Sequence, residues 1–324
     1  MCRPERREGH ASGEPRSKSF ASLRTTAFAT SSKVPALTAD DRLFVDALAA
    51  RGVRAEPAIW DDPAQRWSGY EAVVIRSCWD YHLKHDEFLA WLDGLVRAGV
   101  RVLNAPTLVR WNSEKSYLRE ISALGIAVVP TRWVERGEAV ALDAILRETT
   151  WDQVVVKPAI SASAHETWRS SAATAQADDA RLQAMVARGR VLVQPYLDVV
   201  ATQGEWSLLF YGGAYSHSVL KRPKAHDFRV QLEHGGRSEV LEPAVEVIRA
   251  AQRALAAAEQ GRSPSLYARV DGCVIGGEFV LMELELIEPD LFLRANAAAP
   301  ERLASAFLSS CAPLGTTACV TLVR

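Results

Sequence analysis

From Thr25 onward the chain alternates short apolar runs with amphipathic stretches, and this alternation restricts its fold more than any other feature. TTAFAT (25–30), EAVVIRS (71–77) and RVLN (101–104) have strand character, the last closed by Pro106. Between the first two, Thr38 with Asp41 marks a helix start, followed by Leu43, Phe44, Ala47 and Leu48 at helical spacing. Asp86 is expected to cap a second helix carrying Phe88, Leu89, Trp91, Leu92 and Leu95. Strand–helix–strand repetition predicts a parallel α/β lobe over about 25–105.

The pattern then changes. Residues 106–190 read as helix (113–124), strand (near 131–135), helix (138–147), the strand VVVK (154–157), a polar loop and a helix (178–188). Residues 191–309 are richer in strands: VLVQPYL, GEWSLLFYGG, AYSHSVLKRP, LYARVD and EFVLMELELIE, interrupted by a helix near 240–258. Two lobes after the first are expected, and 324 residues suit such a division. Residues 1–24 carry six Lys/Arg and three Asp/Glu with almost no apolar pattern, and read as a disordered extension. Residues 310–324 read as an irregular tail.

Composition excludes several classes. With 38 Lys plus Arg against 39 Asp plus Glu, the net charge is −1, which argues against a nucleic-acid partner. The five cysteines are odd in number and form no CxxC, so neither a disulfide framework nor a zinc site is expected, and a reducing cytoplasm fits. No run approaches the roughly 18 apolar residues of a membrane span. GxxxxGK[ST], GxGxxG, GxSxG and HExxH are all absent. The seven histidines are scattered, and His217 or His226 can equally be structural.

The chemistry concentrates near the C-terminal end. In EFVLMELELIEP, strand alternation puts Glu283 and Glu285 on one face and Leu284 and Leu286 on the other. Adjacent carboxylates repel unless a cation lies between them, and a hard divalent ion such as Mg²⁺ is the natural one. On this strand alone a solvated polar face is an adequate explanation. LYARVDG adds Arg269 and Asp271 on one strand face, and the six residues GCVIGG would turn the chain back into the glutamate strand. In a suitable register Asp271, Glu283 and Glu285 converge with Arg269 beside them. Lys157 ends an apolar run before Pro158 and the small-residue loop ISASAH (160–165), a position from which it can reach a phosphate. Lys115 is placed on the polar face of a helix whose apolar face is Tyr117, Leu118, Ile121 and Leu124. Arg76, at the C-terminal edge of the first sheet, is where a guanidinium can hold a substrate carboxylate, with Trp79, Asp80 and Tyr81 following; a structural salt bridge with an aromatic cluster is the alternative.

In order and spacing, IRSCWDY (75–81), RWNSEKSYL (110–118), GIAVVPT (125–131), VVKPAISASAHETWR (155–169), VQPYL (193–197), GEWSLLFYGGAYSHSVLKRP (204–223) and LYARVD followed by LMELELIEP resemble the ATP-grasp superfamily. The resemblance lies on the glutathione-synthetase-like branch, is closest to the subgroup of the cycloserine-forming ligase, and covers about 25–309. It implies an α/β fold in which an N-terminal parallel lobe precedes two α+β lobes clasping ATP. It further implies an ATP- and Mg-dependent (or Mn-dependent) carboxylate–amine ligase, acting on small amino-acid-like substrates through an acyl phosphate, and forming an amide that can be cyclic.

By position, the resemblance implies that Lys115 and Lys157 contact phosphate. Gln194, Tyr196 and Leu197 would form the hinge at the adenine, with Glu205 a polar contact there. Asp271, Glu283 and Glu285 would ligate metal, Arg269 would stabilise the acyl phosphate, and Lys221 would assist. Two positions depart from the pattern. SASAHE contains no glycine where relatives hold several, and Glu285 stands where many relatives carry asparagine. A non-catalytic ATP-binding module and an ATP-dependent kinase on the same fold are the competing readings. A homodimer is the assembly considered, on general grounds of symmetry.

Overall fold

The computed structural model describes residues 25–224, 229–230 and 235–312. The extension 1–24, His226 and most of the tail assigned to 310–324 lie outside the described residues. Three sheets carry the architecture. The first is parallel, in the order β2–β1–β3–β4: β1 (Thr26–Thr30), β2 (Ala55–Ile59), β3 (Ala72–Ser77) and β4 (Arg101–Leu103). Every residue of β1 and β3 is buried, as a parallel sheet covered on both faces requires. Phe28 and Val74 face α1 (Ala39–Ala49), while Val73 and Ile75 pack with Phe88 and Leu92 of α2 (His85–Arg97).

Local chemistry explains where these helices begin. Thr38 accepts the backbone N–H of Asp41 at 3.0 Å, capping α1 as its sequence predicts. For α2 the expectation is corrected: a 3-10 turn (Tyr81–Lys84) leads directly into His85, so Asp86 lies inside the first turn and not at the cap. Its charge there still faces the positive end of the helix.

The next stretch differs more. Pro106 opens a helix, α3 (Pro106–Asn112), because the first helical position needs no N–H. The expected helix over 113–124 shrinks to α4 (Tyr117–Ala123), and Lys115 lies in the tight turn between them. Tyr117, Leu118 and Ile121 are buried as expected, whereas Leu124 is 52% exposed beyond the helix end.

The second sheet, ordered β5–β8–β6–β7, is antiparallel: β5 (Arg132–Val134), β6 (Gln153–Pro158), β7 (Trp168–Ser171) and β8 (Val191–Pro195). It is covered by α5 (Leu142–Thr149) and α6 (Ala175–Arg188). β7 falls within the expected polar loop; Trp168 inserts into the core while Arg169 stays outside, a two-residue alternation too short to signal a strand.

The third sheet, β11–β10–β9–β12–β13, is also antiparallel: β9 (Glu205–Tyr211), β10 (Ala214–Arg222), β11 (Arg237–Val240), β12 (Tyr267–Ile275) and β13 (Glu278–Glu285). α7 (Asp198–Thr202) precedes it and α8 (Val245–Glu259) packs on β12 and β13. α9 (Ala299–Cys311), a helix the sequence pattern does not reveal, packs against α1, and Phe307 joins Phe28, Phe44, Leu209 and Tyr211 in one core. The first and third sheets therefore share apolar contacts through α9.

The β12–β13 hairpin sets the register of the site. The expected six-residue turn shortens to Gly276–Gly277, both at positive φ (59° and 88°), as a two-residue hairpin turn demands. Asp271 consequently stands opposite Glu283 and Arg269 opposite Glu285, with a register shift after Asp271. A methyl group on Gly272 would meet the Val280 carbonyl oxygen at 2.5 Å, so this bulge accepts only glycine.

Candidate active site

A cavity of about 270 Å³ is lined by residues of the second and third sheets and by Trp79 and Tyr81 from the segment that follows β3. Lys115, Lys157, Lys221 and Arg269 reach it, as do Glu205, Asp271, Glu283 and Glu285. Gln194, Tyr196 and Leu197 line it as well. Eleven of the thirteen residues singled out from sequence are thus brought to one place.

Their charges interlock. Arg269 holds Asp271 at 3.0 Å and also contacts Glu285 across the hairpin. Lys221 bridges Glu205 at 2.6 Å and Asp271 at 3.3 Å, and Ser207 donates to Asp271 at 2.5 Å. Lys115 meets Glu283 at 3.0 Å and donates to the Ser161 carbonyl at 2.6 Å, tying the glycine-free loop to the carboxylates. The Lys157 ammonium makes no hydrogen bond or ion pair among the described residues.

Electrostatics follow from this arrangement. Burial opposes ionisation of Asp271, but Arg269 and Lys221 outweigh it and hold its carboxyl at about 2. Burial likewise opposes ionisation at Glu283, and Lys115 and Lys157 win, keeping its pKa low. At Glu285 the balance reverses. Burial, with Asp271 and Glu283 nearby, pushes its pKa up to about 7 despite the contact with Arg269, because that guanidinium is shared with Asp271. Burial pulls the Lys157 pKa down, and Glu283 and Glu205 offset this only in part. Burial also acts to lower Lys221, yet Asp271 and Glu205 hold its pKa raised.

The far end of the cavity suits a flat aromatic ring. Val129, Val155, Val200 and Met282 line it, and Tyr196 is stacked under the Arg169 guanidinium at 3.7 Å. Gln194 is fixed by a 2.9 Å hydrogen bond to Thr131, and Tyr196 N–H donates to the Gln153 carbonyl. Leu197 leads into α7 and packs with Val200. The loop over Lys115 turns without glycine: Ser163, Ala164 and Glu166 all take positive φ, between 49° and 53°.

Arg76 and Asp80 do not line this cavity. Arg76 is 3% exposed; its Nε binds Asp41 at 2.8 Å, its Nη2 binds the Pro289 carbonyl at 2.7 Å, and it lies over the Tyr267 ring. Its Nη1 has no partner among the described residues. Asp80 accepts from Trp60 Nε1 at 2.9 Å. In this geometry the salt bridge and aromatic cluster, the alternative to a substrate carboxylate, are what these two residues form. Trp79 and Tyr81, which flank Asp80, do reach the cavity.

The segment leaving β13 is held carbonyl by carbonyl. Asn104 donates to Leu286 O at 2.8 Å, Tyr267 OH to Ile287 O at 2.9 Å, and Trp79 Nε1 to Glu288 O at 3.0 Å. Arg76 holds Pro289 O, and Arg269 Nη1 donates to Asp290 O at 3.1 Å. Upstream, Asn112 and Tyr117 donate to Leu284 O from α3 and α4. Each of these polar anchors is satisfied by a backbone carbonyl, as burial requires. Sequence reading missed Asn104, Asn112, Ser207 and Glu288. Asn112 within RWNSEK and Glu288 within LIEP stood inside the quoted motifs but have no spacing signature of their own.

Comparison with known proteins decides the family. Residues 26–104 match the model described as the N-terminal domain of D-cycloserine synthetase DcsG. Over 289 residues the chain is 31% identical to the cycloserine biosynthesis protein DcsG of Streptomyces lavendulae, covering 83% of this chain and 93% of that protein. The chain belongs to the D-cycloserine synthetase family of ATP-grasp ligases. A crystal structure of D-cycloserine synthetase DcsG superposes with a TM-score of 0.80 at 28% identity, covering 88% of this chain and 99% of that one. D-alanine–D-alanine ligase from Bacillus anthracis, complexed with ATP, shares the fold with a TM-score of 0.63 at 15% identity, over 88% of this chain and 96% of the other. As a member of this synthetase family the chain is an ATP-dependent ligase, and its α/β architecture is the ATP-grasp fold implied by its motifs. Among the described residues no helix is long and apolar enough to cross a membrane.

Proposed function

We propose that this ligase activates a small amino-acid-like carboxylate as an acyl phosphate and joins it to an amine, within one molecule or between two, at the cavity over the β12–β13 hairpin. The observation that carries the reading is the pairing of Asp271 with Glu283 across that hairpin, within one cavity with Lys115, Lys157 and Arg269.

The donor set fits a magnesium ion. Among the described residues no three acidic, histidine or cysteine side chains form a finished cage. Mg²⁺ does not need one, since it commonly takes one or two carboxylates and completes its shell with phosphate oxygens and water. Asp271, Glu283 and Glu285 would hold it, and when bound it supplies charge neutralisation at the polyphosphate. Glu285 in place of asparagine adds a third carboxylate to the set. Mn²⁺ is accepted by the same hard oxygen donors.

The residues divide the work. Lys157, whose ammonium has no partner among the described residues, and Lys115, released from Glu283 as phosphates arrive, bind the β- and γ-phosphates. Val155, Met282 and Leu197 enclose the adenine, with backbone groups around Gln194 and Tyr196 reading its edge and Glu205 fixing Lys221 beside them. Arg269 faces the acyl centre, where its guanidinium offsets charge building on the phosphate and on the tetrahedral adduct. The loop 160–167 excludes water, which would otherwise hydrolyse the acyl phosphate. Arg76 acts by position, through Pro289. The substrates are small carboxylates and amines, with no role for nucleic acid or membrane. Cytoplasmic ATP and the buried free thiols Cys78 and Cys273 suit a reducing compartment. Gel filtration with light scattering tests the homodimer.

Thermal unfolding with Mg²⁺ alone, ATP with Mg²⁺, and ATP with EDTA tests the nucleotide site. Ligand at a hundredfold excess over Kd stabilises by about 2.7 kcal/mol, and the full shift should need both ATP and metal. ADP release is then followed with carboxylates and amines. Release that depends on both confirms a ligase; a phosphorylated product without an amine means a kinase. Binding with no turnover on any acceptor means a non-catalytic module.

A further inference from the structure

Of the acids lining the cavity, Glu288 is the one whose carboxylate makes no hydrogen bond or ion pair among the described residues. Glu205, Asp271, Glu283 and Glu285 each meet a lysine or arginine, and Asp290 accepts the Phe292 N–H at 2.9 Å. An unpaired carboxylate in a partly enclosed cavity is costly: burial, with Glu285 and Glu283 nearby, pushes the Glu288 pKa up to about 8, and a ligand cation placed against it would restore the charged form.

Its position is unusually well fixed. The backbone on both sides is clamped: Trp79 holds Glu288 O, Tyr267 holds Ile287 O, Arg76 holds Pro289 O and Arg269 holds Asp290 O. Arg269 thus reaches to within two residues of Glu288 while its other nitrogens face Asp271 and Glu285. The guanidinium and the free carboxylate share one end of the cavity, walled by the rings of Trp79, Tyr81 and Phe292.

We propose that Glu288 is a specificity-determining residue that binds the ammonium group of the substrate, so that the carboxylate activated beside Arg269 belongs to a small molecule bearing a positively charged amine. This rests on the ligase reading above and narrows its substrate class. Aromatic walls restrict the size of such a molecule and favour a cation near their faces. A neutral or anionic substituent at the same place would leave the carboxylate without a partner, which supplies discrimination by rejection as well as by attraction.

The test compares matched carboxylates with and without an ammonium: alanine against propionate and serine against 3-hydroxypropionate, in both enantiomers. Hydroxylamine serves as the acceptor, so that activation is read as hydroxamate and ADP. Wild type should favour the ammonium-bearing member of a pair, and Glu288→Gln should reduce that kcat/KM ratio roughly a hundredfold, the scale of a lost buried charge partner. Glu288→Asp, which keeps the charge on a shorter arm, should recover part of the ratio. A purely structural role would lower both members of a pair together and leave the ratio intact, which overturns the assignment. Wild type that activates carboxylates without regard to the ammonium overturns it too while sparing the ligase reading. Wild type that activates none of them overturns both.

Discussion

Arg76 and Pro289 are 213 residues apart in sequence, yet the Nη2 of one donates to the carbonyl of the other at 2.7 Å, inside a core where Arg76 also holds Asp41 at 2.8 Å. The parallel sheet is thereby tied to the segment that leaves the β12–β13 hairpin. Asp41 is committed on its own side, accepting from Ser77 at 2.6 Å and Thr38 at 2.9 Å. Replacing Arg76 by methionine leaves Asp41 buried without its cation. We expect a loss of about 3–5 kcal/mol in urea unfolding. Removing the stranded charge as well, in R76M/D41N, should cost less than R76M alone. A loss under about 1 kcal/mol for R76M would show that the pair carries little of the fold.

The two carboxylates that face each other across the hairpin should separate stability from turnover. Asp271 is 2% exposed and bound to Arg269, Lys221 and Ser207, so Asp271→Asn disturbs two buried cations and should lower both stability and rate. The Glu283 side chain is 31% exposed and among the described residues makes one ion pair, with Lys115, which keeps its bonds to Ser161, so Glu283→Gln should leave the unfolding midpoint nearly unchanged. Turnover should still fall on the order of 10²–10³-fold in each. ADP release and denaturant titration on the same preparations check this. Full activity in both variants removes them from the metal set.

How much of this was legible beforehand depends on whether a feature has a period. Strands β1, β3 and β6 announce themselves as apolar runs, and the acids of β13 by alternation, so the fold and the shared face of Glu283 and Glu285 follow from spacing plus motif order. The turn at Gly276–Gly277 was misjudged because glycines stand at both ends of GCVIGG, while Cys273, Val274 and Ile275 between them continue the strand and Cys273 is buried in it. Helix α9 escaped because its buried face, Ala299, Leu303, Ala304 and Phe307, is half alanine. Arg76 could not be decided from sequence at all. Its partners Asp41 and Pro289 come from distant segments, and a guanidinium at a strand end looks the same whether it faces ligand or core.

The loop over Lys115 should respond to glycine. Ser163 and Ala164 hold φ of 49° and 53°, a region that costs a residue with a Cβ roughly 1–2 kcal/mol. Glycine removes that strain but adds about 0.4–1 kcal/mol of unfolded-chain entropy. The balance favours a net gain of about 0.5–1 kcal/mol for Ala164→Gly, read as a higher Tm of the ligand-free protein. A lower Tm would mean that the loop is held open by its side chains and that glycine loosens it. Such a loop should also close less tightly, raising ATP hydrolysis in the absence of amine.

His82 gives the molecule a defined weakness in mild acid. Its ring lies 5.1 Å from that of His165, with Lys115 and Asp80 as further charges and the Trp79 backbone beside it. Burial first, then His165 and Lys115, pull its pKa down to about 4, against about 6.5 in an unfolded chain. Between these values the unfolded state binds a proton that the folded state refuses, so the His82 contribution to stability falls as pH drops from about 6.5 toward 4 and is level above, while Glu285 and Glu288, pushed up by burial to about 7 and about 8, contribute the opposite slope. His85 and His217, also lowered by burial, act in the same direction. His82→Asn should remove one proton from the pH dependence, flattening the slope by up to about 1.4 kcal/mol per pH unit. His165→Asn should flatten it less, because it removes a repelling neighbour but leaves the burial. Urea midpoints from pH 4 to 8 for the three proteins decide the matter. An unchanged slope in His82→Asn assigns the acid sensitivity to another group.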